Sequence, residues 1–471
     1  MGIDPPGAAK DDAVIPAQRA PTHDSPPPAS VAPVPVLSAS LPPGSPKPRL
    51  ARRVAASLAL MGMLAAVVAT VVETAPKSTG TFARAAAAAA PVIPLTPYEQ
   101  ATKSLDEQAA AIMRGDRAGW LAAVDPRKPA LRKHYQDLYA TLQALHVTHL
   151  EYRPGYVSAT HGTVVVDSQM AYCLSADTCP PYVADSHAGP PRLAQRITLR
   201  LDGARFVITK LDDAYYPNDL QPMPWEAGDL VFAQGRRVTV GAPRSLAKQL
   251  PRVLAVADKA ALVDDRFATY MDNPQQRYRI FLATDATWKN WYGGENASYS
   301  VAYTVSLNDA GSDVVLKMSQ LAGDAQELKV VIQHEMAHVA TLSNLTTSDQ
   351  HDEWLMEGVA DYIGWLPQHT RSDWNFPAIR VAFNGSHPPK SMVRAELPDN
   401  ASARAVATYY GTGHFAVECL VTKYGEAKAM TFVRLKLRLG DSLDTAAAGA
   451  FGTRFAPVDK TCVAWMRQNA R

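Results

Sequence analysis

Two stretches of the chain, His334-Glu335-Met336-Ala337-His338 and Trp354-Leu355-Met356-Glu357-Gly358-Val359-Ala360-Asp361, decide most of what the sequence predicts. Apolar residues recur at helical spacing around the first stretch and predict a helix over 326–342. Residues four apart share one face of a helix, so the imidazoles of His334 and His338 can reach a single metal ion. The first stretch therefore predicts a metal site.

The second stretch supplies the rest of a catalytic metal site. Eighteen residues separate His338 from Glu357, and two His with one Glu is a standard ligand set for catalytic zinc, which keeps one position open for water. We therefore expect one Zn²⁺ per chain, held by His334, His338 and Glu357. Glu335 is expected to take a proton from a water activated by the metal. Asp361, one turn after Glu357, is expected to orient a histidine ligand.

This pattern resembles the gluzincin metallopeptidases, in particular their aminopeptidase-like branch and the bacterial peptidase-MA-like proteins. The resemblance covers residues 277–421 and implies a zincin-type catalytic domain that hydrolyses peptide bonds. The metzincin pattern does not fit, because Thr341 and Asn344 stand where that pattern requires Gly and His.

A third stretch, Tyr410-Gly411-Thr412-Gly413-His414, resembles the family segment that opens a helix after the zinc site. The resemblance implies that the phenol of Tyr410 donates a hydrogen bond to the oxyanion of the tetrahedral intermediate. Tyr409 and His414 are the alternatives for this role. A phenol packed in the core, with no catalytic role, is the remaining interpretation.

The sequence also departs from the family. The aminopeptidases carry a G-x-M-E-N strand that reads the free N-terminus of the substrate, whereas Gly293-Gly294-Glu295-Asn296 is typical of a turn and lies 38 residues before His334. We therefore expect an endopeptidase. Asp313–Met318 is expected at the sheet edge that pairs with an extended peptide. Met356 stands where the family usually has Asn.

The N-terminal part of the chain has a different composition. Residues 1–53 hold 13 of the 36 prolines within their first 49 positions and no aromatic residue, which predicts a disordered tail. A basic cluster ends this tail, and residues 54–72 carry no charge before Glu73. Nineteen residues span roughly 28 Å as a helix, so 54–73 is predicted to cross the lipid bilayer. The Ala-rich residues 74–94 form a linker.

The basic cluster also predicts the orientation of this span. Positive residues favour the cytoplasmic side, so the tail is expected in the cytoplasm and the C-terminal domains outside it, in a single-pass membrane protein. A cleaved signal peptide, with its cleavage site near Ala85–Ala90, is the alternative. A tail of 53 residues and a run of 19 apolar residues both exceed what signal peptides show. Both interpretations predict export.

The four cysteines agree with export. Cys173 and Cys179 are six positions apart, and Cys419 and Cys462 form the second possible pair. Disulfides are allowed outside the cytoplasm, although four free thiols remain an alternative.

The middle of the chain reads as a separate domain. Residues 95–221 show two helical patterns followed by alternating β-branched strands with a hairpin turn at Asp202-Gly203. This order resembles the cone-shaped nuclear-transport-factor-2-like domains. With residues 230–471 as the metal-binding domain and a helical C-terminal part, the fold class is α+β.

Composition narrows the function further. Lys and Arg number 47 and Asp and Glu 45, which excludes a basic nucleic-acid-binding protein. We expect a membrane-anchored, extracytoplasmic zinc peptidase whose substrate is a peptide or protein segment at the cell envelope. The alternatives are a catalytically degenerate zincin domain that acts as an envelope binding or scaffold protein, and a metal-dependent hydrolase of a non-peptide bond.

Overall fold

The structure is a computed structural model that describes residues 14–18, 94–176, 178–183, 188–214, 217–218, 220–295, 299–343, 352–398 and 400–471. The predicted span over 54–73, the rest of the tail and the linker up to residue 93 lie outside these residues. Among the described residues, no helix is both long and apolar enough to cross a bilayer.

From residue 95 onward, the first part of the structure carries helices before strands, in the predicted order. Thr96 caps the first helix by accepting from the backbone N–H of Glu99, whose side chain accepts in turn from the backbone N–H of Thr96. The elements are β1 (Val14–Gln18), α1 (Pro97–Met113), α2 (Arg117–Ala122), α3 (Pro129–Ala144), β2 (Val147–Thr160), β3 (Thr163–Leu174), β4 (Arg192–Asp202) and β5 (Arg205–Asp213).

The second part alternates strands with helices and ends in a helical array, as the C-terminal pattern predicts. The elements are β6 (Leu230–Gln234), β7 (Val238–Pro243), α4 (Leu250–Tyr270), β8 (Tyr278–Ala283), α5 (Asp285–Trp288), β9 (Ser300–Ser306), β10 (Ser312–Lys317), α6 (Met318–Leu321), α7 (Ala325–Leu342), α8 (Glu353–Trp365), α9 (Phe376–Asn384), α10 (Ala403–Tyr424), α11 (Glu426–Val433), α12 (Leu443–Phe451) and α13 (Phe455–Asn469). A π-helical turn, Arg434–Arg438, follows α11.

Two sheets organise these elements. Strands β2 to β5 form an antiparallel sheet in chain order, while the larger sheet has the order β1-β9-β10-β8-β7-β6. In the larger sheet, β10, β8 and β7 are parallel neighbours, and β9 runs antiparallel to β10.

The larger sheet corrects one expectation of the sequence analysis. The segment Asp313–Met318 was expected at the edge, but β10, which contains most of it, lies between β8 and β9. The turn over Leu307–Gly311 folds β9 back onto the outer side of β10, so β9 is the outer strand of the catalytic half. Strand β1 pairs antiparallel with β9, with Ile15 opposite Thr304.

The larger sheet is buried on both faces. Side chains of one face, such as Phe281 and Val315, pack with the core of α1–α3 and the four-stranded sheet. Side chains of the other face, such as Leu282 and Val314, pack against α4 and α7. A third cluster joins α8 to helices α10–α13. The metal-binding helices therefore lie between the sheet and the C-terminal helical array.

These observations establish a mixed α+β fold that is consistent with a zincin-like domain. Residues 95–471 belong to one compact unit, because the core of the predicted middle domain continues onto β8, β9 and β10. The boundaries at 95–221 and 230–471 and the resemblance to nuclear-transport-factor-2-like domains remain predictions.

Both possible cysteine pairs are disulfide-bonded in the structure. Cys173, at the end of β3, is joined to Cys179, and Cys419 of α10 is joined to Cys462 of α13. No cysteine is left free. The second bond links two helices of the C-terminal array across 43 positions of the sequence.

Candidate metal centre

Helix α7 carries the first stretch into the core. The Asp324 side chain caps it by accepting from the backbone N–H groups of Gln326 and Glu327, at 2.7 and 2.9 Å. From Val330 to Thr341 every side chain of α7 is buried. A helix buried on all sides exposes its polar groups to protein rather than to water, so His334, Glu335 and His338 need partners within the protein.

Helix α8 approaches α7 through small residues and side-chain caps. A Cβ atom placed on Gly364 would lie 3.1 Å from the Cβ of His334, so the glycine allows the helices to come close. The Nζ of Lys329 donates to the carbonyls of Gly364 and Leu366, at 2.8 and 2.6 Å, and Gln333 donates to the carbonyl of Ile363. Side chains of α7 thus satisfy carbonyls that the end of α8 leaves without helical partners.

Helix α10 meets α8 on its other side through a second pair of glycines. A Cβ on Gly358 would lie 2.6 Å from the carbonyl oxygen of Gly413, and a Cβ on Gly413 would lie 2.9 Å from the carbonyl oxygen of Trp354. Neither position leaves room for a side chain. This contact brings Tyr410 of α10 against the helix that carries Glu357.

The three predicted ligands converge on one point. The Nε2 atoms of His334 and His338 are 3.0 Å apart, and Oε2 of Glu357 lies 3.4 and 3.6 Å from them. Donor atoms about 2.0–2.1 Å from a tetrahedral zinc ion lie roughly 3.3 Å from one another. The spacing therefore matches three corners of a zinc coordination sphere.

The environment of these ligands favours a cation. Both carboxylate oxygens of Glu357 are buried and have no hydrogen-bond partner among the described residues. A buried carboxylate without a partner costs several kcal/mol or more unless a positive charge accompanies it. The residues thus fit a bound Zn²⁺, and they are the group of His, Cys, Asp and Glu in the described part of the chain that could hold a metal ion.

Asp361 orients one histidine. Its Oδ1 lies 2.8 Å from Nδ1 of His334, so the carboxylate accepts the Nδ1–H and leaves the lone pair of Nε2 directed at the metal position. Burial alone would lower the pKa of His334, but Asp361, which accepts its Nδ1–H, and the nearby carboxylate of Glu357 raise it well above its ordinary value. Burial lowers the pKa of His338.

Glu335 is held by a residue that the sequence did not reveal. The hydroxyl of Thr304, on β9, donates to Oε2 of Glu335 at 2.6 Å. The other oxygen, Oε1, is buried and has no partner among the described residues. Burial raises the pKa of the Glu335 carboxyl to about 8. A carboxylate with a raised pKa, one anchored oxygen and one free oxygen suits a general base.

The three side chains considered for the oxyanion differ in their surroundings. The phenol of Tyr409 donates to Oε2 of Glu353 at 3.0 Å, and Nδ1 of His414 lies 2.9 Å from Oδ2 of Asp373. Both groups thus already have a carboxylate partner. Tyr410 is fully buried, and burial, followed by the charge of Glu357, raises its pKa well above the ordinary value. Tyr410 therefore stays a proton donor beside the ligand.

The π-helical turn after α11 fastens both metal-binding helices, which the sequence analysis did not predict. The Nζ of Lys436 lies 2.7 Å from Oδ2 of Asp352, the residue before α8, and both side chains are buried. Arg438 donates to the carbonyls of Thr341 and Ser343 at the end of α7, at 3.1 and 3.0 Å. Such turns occur often at functional sites.

Comparison with known proteins yields structural matches alone. No protein-family model matches the chain, and no curated protein matches it. Native leukotriene A4 hydrolase from Saccharomyces cerevisiae aligns with 45% of this chain and 33% of its own, at 18% identity and a TM-score of 0.29. A two-domain M1 zinc metallopeptidase bound to L-tryptophan aligns with 57% and 58%, at 16% identity and a TM-score of 0.31.

A third match is the yeast leukotriene A4 hydrolase in complex with bestatin, with 62% of this chain and 54% of its own aligned, 14% identity and a TM-score of 0.30. The chain thus spans between one third and three fifths of the length of these structures. Because these TM-scores are too low to support an argument from the matched structures, the metal centre is assigned from the chain's own residues. They form a gluzincin-type H-E-x-x-H…E pattern whose three ligand atoms converge on one point.

The first prediction concerns the metal. We expect Glu357→Ala to abolish stoichiometric zinc binding, and Asp361→Ala to weaken it about 10- to 100-fold because His334 loses its orienting hydrogen bond. Zinc content by elemental mass spectrometry and competition with a chelator measure both effects. Asp373→Asn is the matched control, since Asp373 also bonds a buried imidazole. Full zinc occupancy in the folded Glu357→Ala variant would contradict the ligand assignment.

The second prediction concerns Thr304. Replacement by Val keeps the shape of the side chain but removes the donor to Glu335, so we expect kcat to fall about tenfold with unchanged zinc content. Thr304→Ser retains the hydroxyl and should restore most of the activity. Thr239→Val, which removes a buried hydroxyl from β7, is the control. Equal loss of activity in the Val and Ser variants would show that the hydroxyl is not what matters.

Proposed function

We propose that this protein is a zinc-dependent endopeptidase. The observation that carries the proposal is the convergence of His334 Nε2, His338 Nε2 and Glu357 Oε2, with Glu335 beside them. A structural zinc site needs no general base next to its ligands. The buried Glu335 therefore favours hydrolysis over the alternative of a degenerate scaffold domain.

The proposal assigns a role in the reaction to each of these side chains. A zinc ion held by the three ligands supplies Lewis-acid chemistry, polarising the substrate carbonyl and acidifying water. Glu335 accepts the proton of the attacking water at its free oxygen and then donates it to the leaving amine. Thr304 holds the other oxygen of Glu335 in place. The phenol of Tyr410 donates to the oxyanion that develops on the carbonyl oxygen when water attacks the carbonyl carbon.

The substrate is proposed to be an extended peptide. Strand β9 carries Thr304 and runs beside Glu335, and its outer side pairs with an extended segment, β1, in antiparallel register. Sheets bind extended peptides by adding them as a further strand, and on β9 a peptide would take the place that β1 holds. A peptide bound in this way passes directly over the general base.

An aminopeptidase is the second candidate, because of Glu295. Burial is the main cause of the raised pKa of Glu335, and the negative charge of Glu295 adds to it, so Glu295 lies close enough to interact with Glu335. A carboxylate there is suited to a substrate ammonium group. An internally quenched peptide with an acetylated N-terminus separates the candidates: its cleavage supports the endopeptidase, whereas cleavage restricted to peptides with a free amine supports the aminopeptidase.

The third prediction tests hydrolysis itself. We expect Glu335→Gln to keep one zinc per chain and to lose at least about a hundredfold in kcat, since the amide cannot accept the proton. Release of fluorescence from quenched peptides measures the rate, and elemental analysis measures the metal. Glu107→Gln, at an exposed position of α1, is the control. Undiminished peptide hydrolysis by Glu335→Gln would exclude the assigned role, and zinc-loaded wild type without peptidase activity would favour the scaffold or a non-peptide substrate.

We also propose that the protein acts at the cell envelope, attached by a single span over 54–73 with its C-terminal domains outside the cytoplasm. The uncharged run, the preceding basic cluster and the two disulfides support this proposal. Strand β1 belongs to the tail and pairs with β9. Within one chain, this pairing requires the tail and the C-terminal domains to lie on the same side of a membrane, so it conflicts with a cytoplasmic tail.

The fourth prediction decides the position of the tail. All four native cysteines are in disulfides, so Ser25→Cys introduces a single free thiol into the tail. A membrane-impermeant maleimide should leave this thiol unlabelled in intact cells and label it after lysis. Ser386→Cys, at an exposed site after α9, is the control that should react in intact cells. Labelling of Ser25→Cys from outside would contradict the cytoplasmic tail and agree with the β1–β9 pairing.

A further inference from the structure

A cavity of about 610 Å³ opens beside the metal centre, and neither the metal site nor the proposed reaction uses it. Its walls are segment 393–397 and the first two turns of α10. The polar groups that line it include Arg394, Arg404 and the phenol of Tyr409. Its volume is in the range of sites that bind small ligands.

The cavity is connected to the metal centre through Glu353. This residue lies one turn before the ligand Glu357 on α8, a rise of about 6 Å along the helix. Its carboxyl accepts hydrogen bonds from the phenol of Tyr409, at 3.0 Å, and from the backbone N–H of Leu397. Since Tyr409 and Leu397 both line the cavity, these hydrogen bonds place the cavity wall one helical turn from the ligand Glu357.

Two arginines bring positive charge to the cavity, and Glu396, in the wall segment 393–397, brings one negative charge that acts on Tyr409. Arg394 is half-buried and Arg404 is exposed, and in the described part of the chain no carboxylate oxygen lies within ion-pairing distance of either guanidinium. Burial lowers the pKa of Arg394, although it remains charged. Arginines at partly buried positions usually have an acidic partner, because an unpaired charge loses solvation. Among the described residues, neither guanidinium has a carboxylate partner that a ligand would have to displace.

We propose that this cavity is a substrate subsite that binds a carboxylate through Arg394 and Arg404. The inference rests on the proposed peptidase function and adds to it a class of substrate. A guanidinium matches a carboxylate with two parallel hydrogen bonds, which neutral side chains cannot replace. The carboxylate comes either from the C-terminus of the peptide or from an Asp or Glu side chain.

The test measures peptide binding to the full chain, loaded with zinc and inactivated by Glu335→Gln. The probes share one neutral sequence and differ in charge: a peptide with a free C-terminal carboxylate, a set of amidated peptides with one Glu at each position in turn, and an amidated peptide without Glu. We expect a peptide with a carboxylate to bind at least tenfold more tightly than the neutral amide, in calorimetry at constant ionic strength.

Arginine variants connect this preference to the cavity. Arg394→Gln and Arg404→Gln should each reduce the preference severalfold and leave the affinity for the neutral amide unchanged, while Arg394→Lys keeps part of it. Arg205→Gln, in the exposed hairpin between β4 and β5, is the matched control. Because Arg404 is exposed, its variant remains informative even where Arg394→Gln fails to fold. Preference for the free C-terminus or for one position of Glu identifies the source of the carboxylate.

The outcomes separate this inference from the proposed function. Equal affinities of all probes, or a preference that survives both arginine variants, overturn the subsite. Hydrolysis of neutral and carboxylate peptides by wild type at equal kcat/KM overturns it as well, while the peptidase function stands. Tight, arginine-dependent binding of a carboxylate peptide that wild type does not hydrolyse would support the subsite and overturn the peptidase.

Discussion

The structure depends on how closely helix α8 lies against α7. The two helices provide all three ligand atoms, so a shift of about 1 Å between them would separate donors that now lie 3.0–3.6 Å apart. Gly364 provides the space for this contact, and Lys329 and Gln333 of α7 fix it by donating to the last carbonyls of α8. The hydrogen bonds from α7 side chains to the C-terminal end of α8 thus hold the three ligand atoms in place.

The other parts of the fold hold this pair of helices in place. Strand β9 reaches Glu335 through Thr304, α10 packs on α8 where Gly358 meets Gly413, and the turn after α11 binds the start of α8 through Lys436. Each contact comes from a different region of the chain. The C-terminal array is therefore part of the site, and its disulfide between Cys419 and Cys462 fastens the same array.

Whether a contact of the site could be predicted depends on how far apart its residues lie in the sequence. His334 and His338 share a helix turn, and Glu357 follows in the next helix, so local periodicity was sufficient to nominate them. Thr304 lies 31 positions before Glu335 and Lys436 lies 84 after Asp352. These contacts depend on strand order and helix packing, which a single sequence does not encode locally. The incorrect edge assignment of β10 has the same origin, because the hairpin from β9 to β10 admits either strand as the outer one.

Acidic side chains cluster around the metal site. Glu335, Glu353, Glu357 and Asp361 lie within two neighbouring helices, and burial raises the pKa of Glu335 to about 8 and that of Glu353 to about 7. A bound dication neutralises part of this negative charge. A substrate carboxylate would still be repelled near Glu353, unless positive charge lies directly beyond it. In the proposed subsite, Arg394 and Arg404 line the cavity next to Tyr409, so their charge opposes this repulsion.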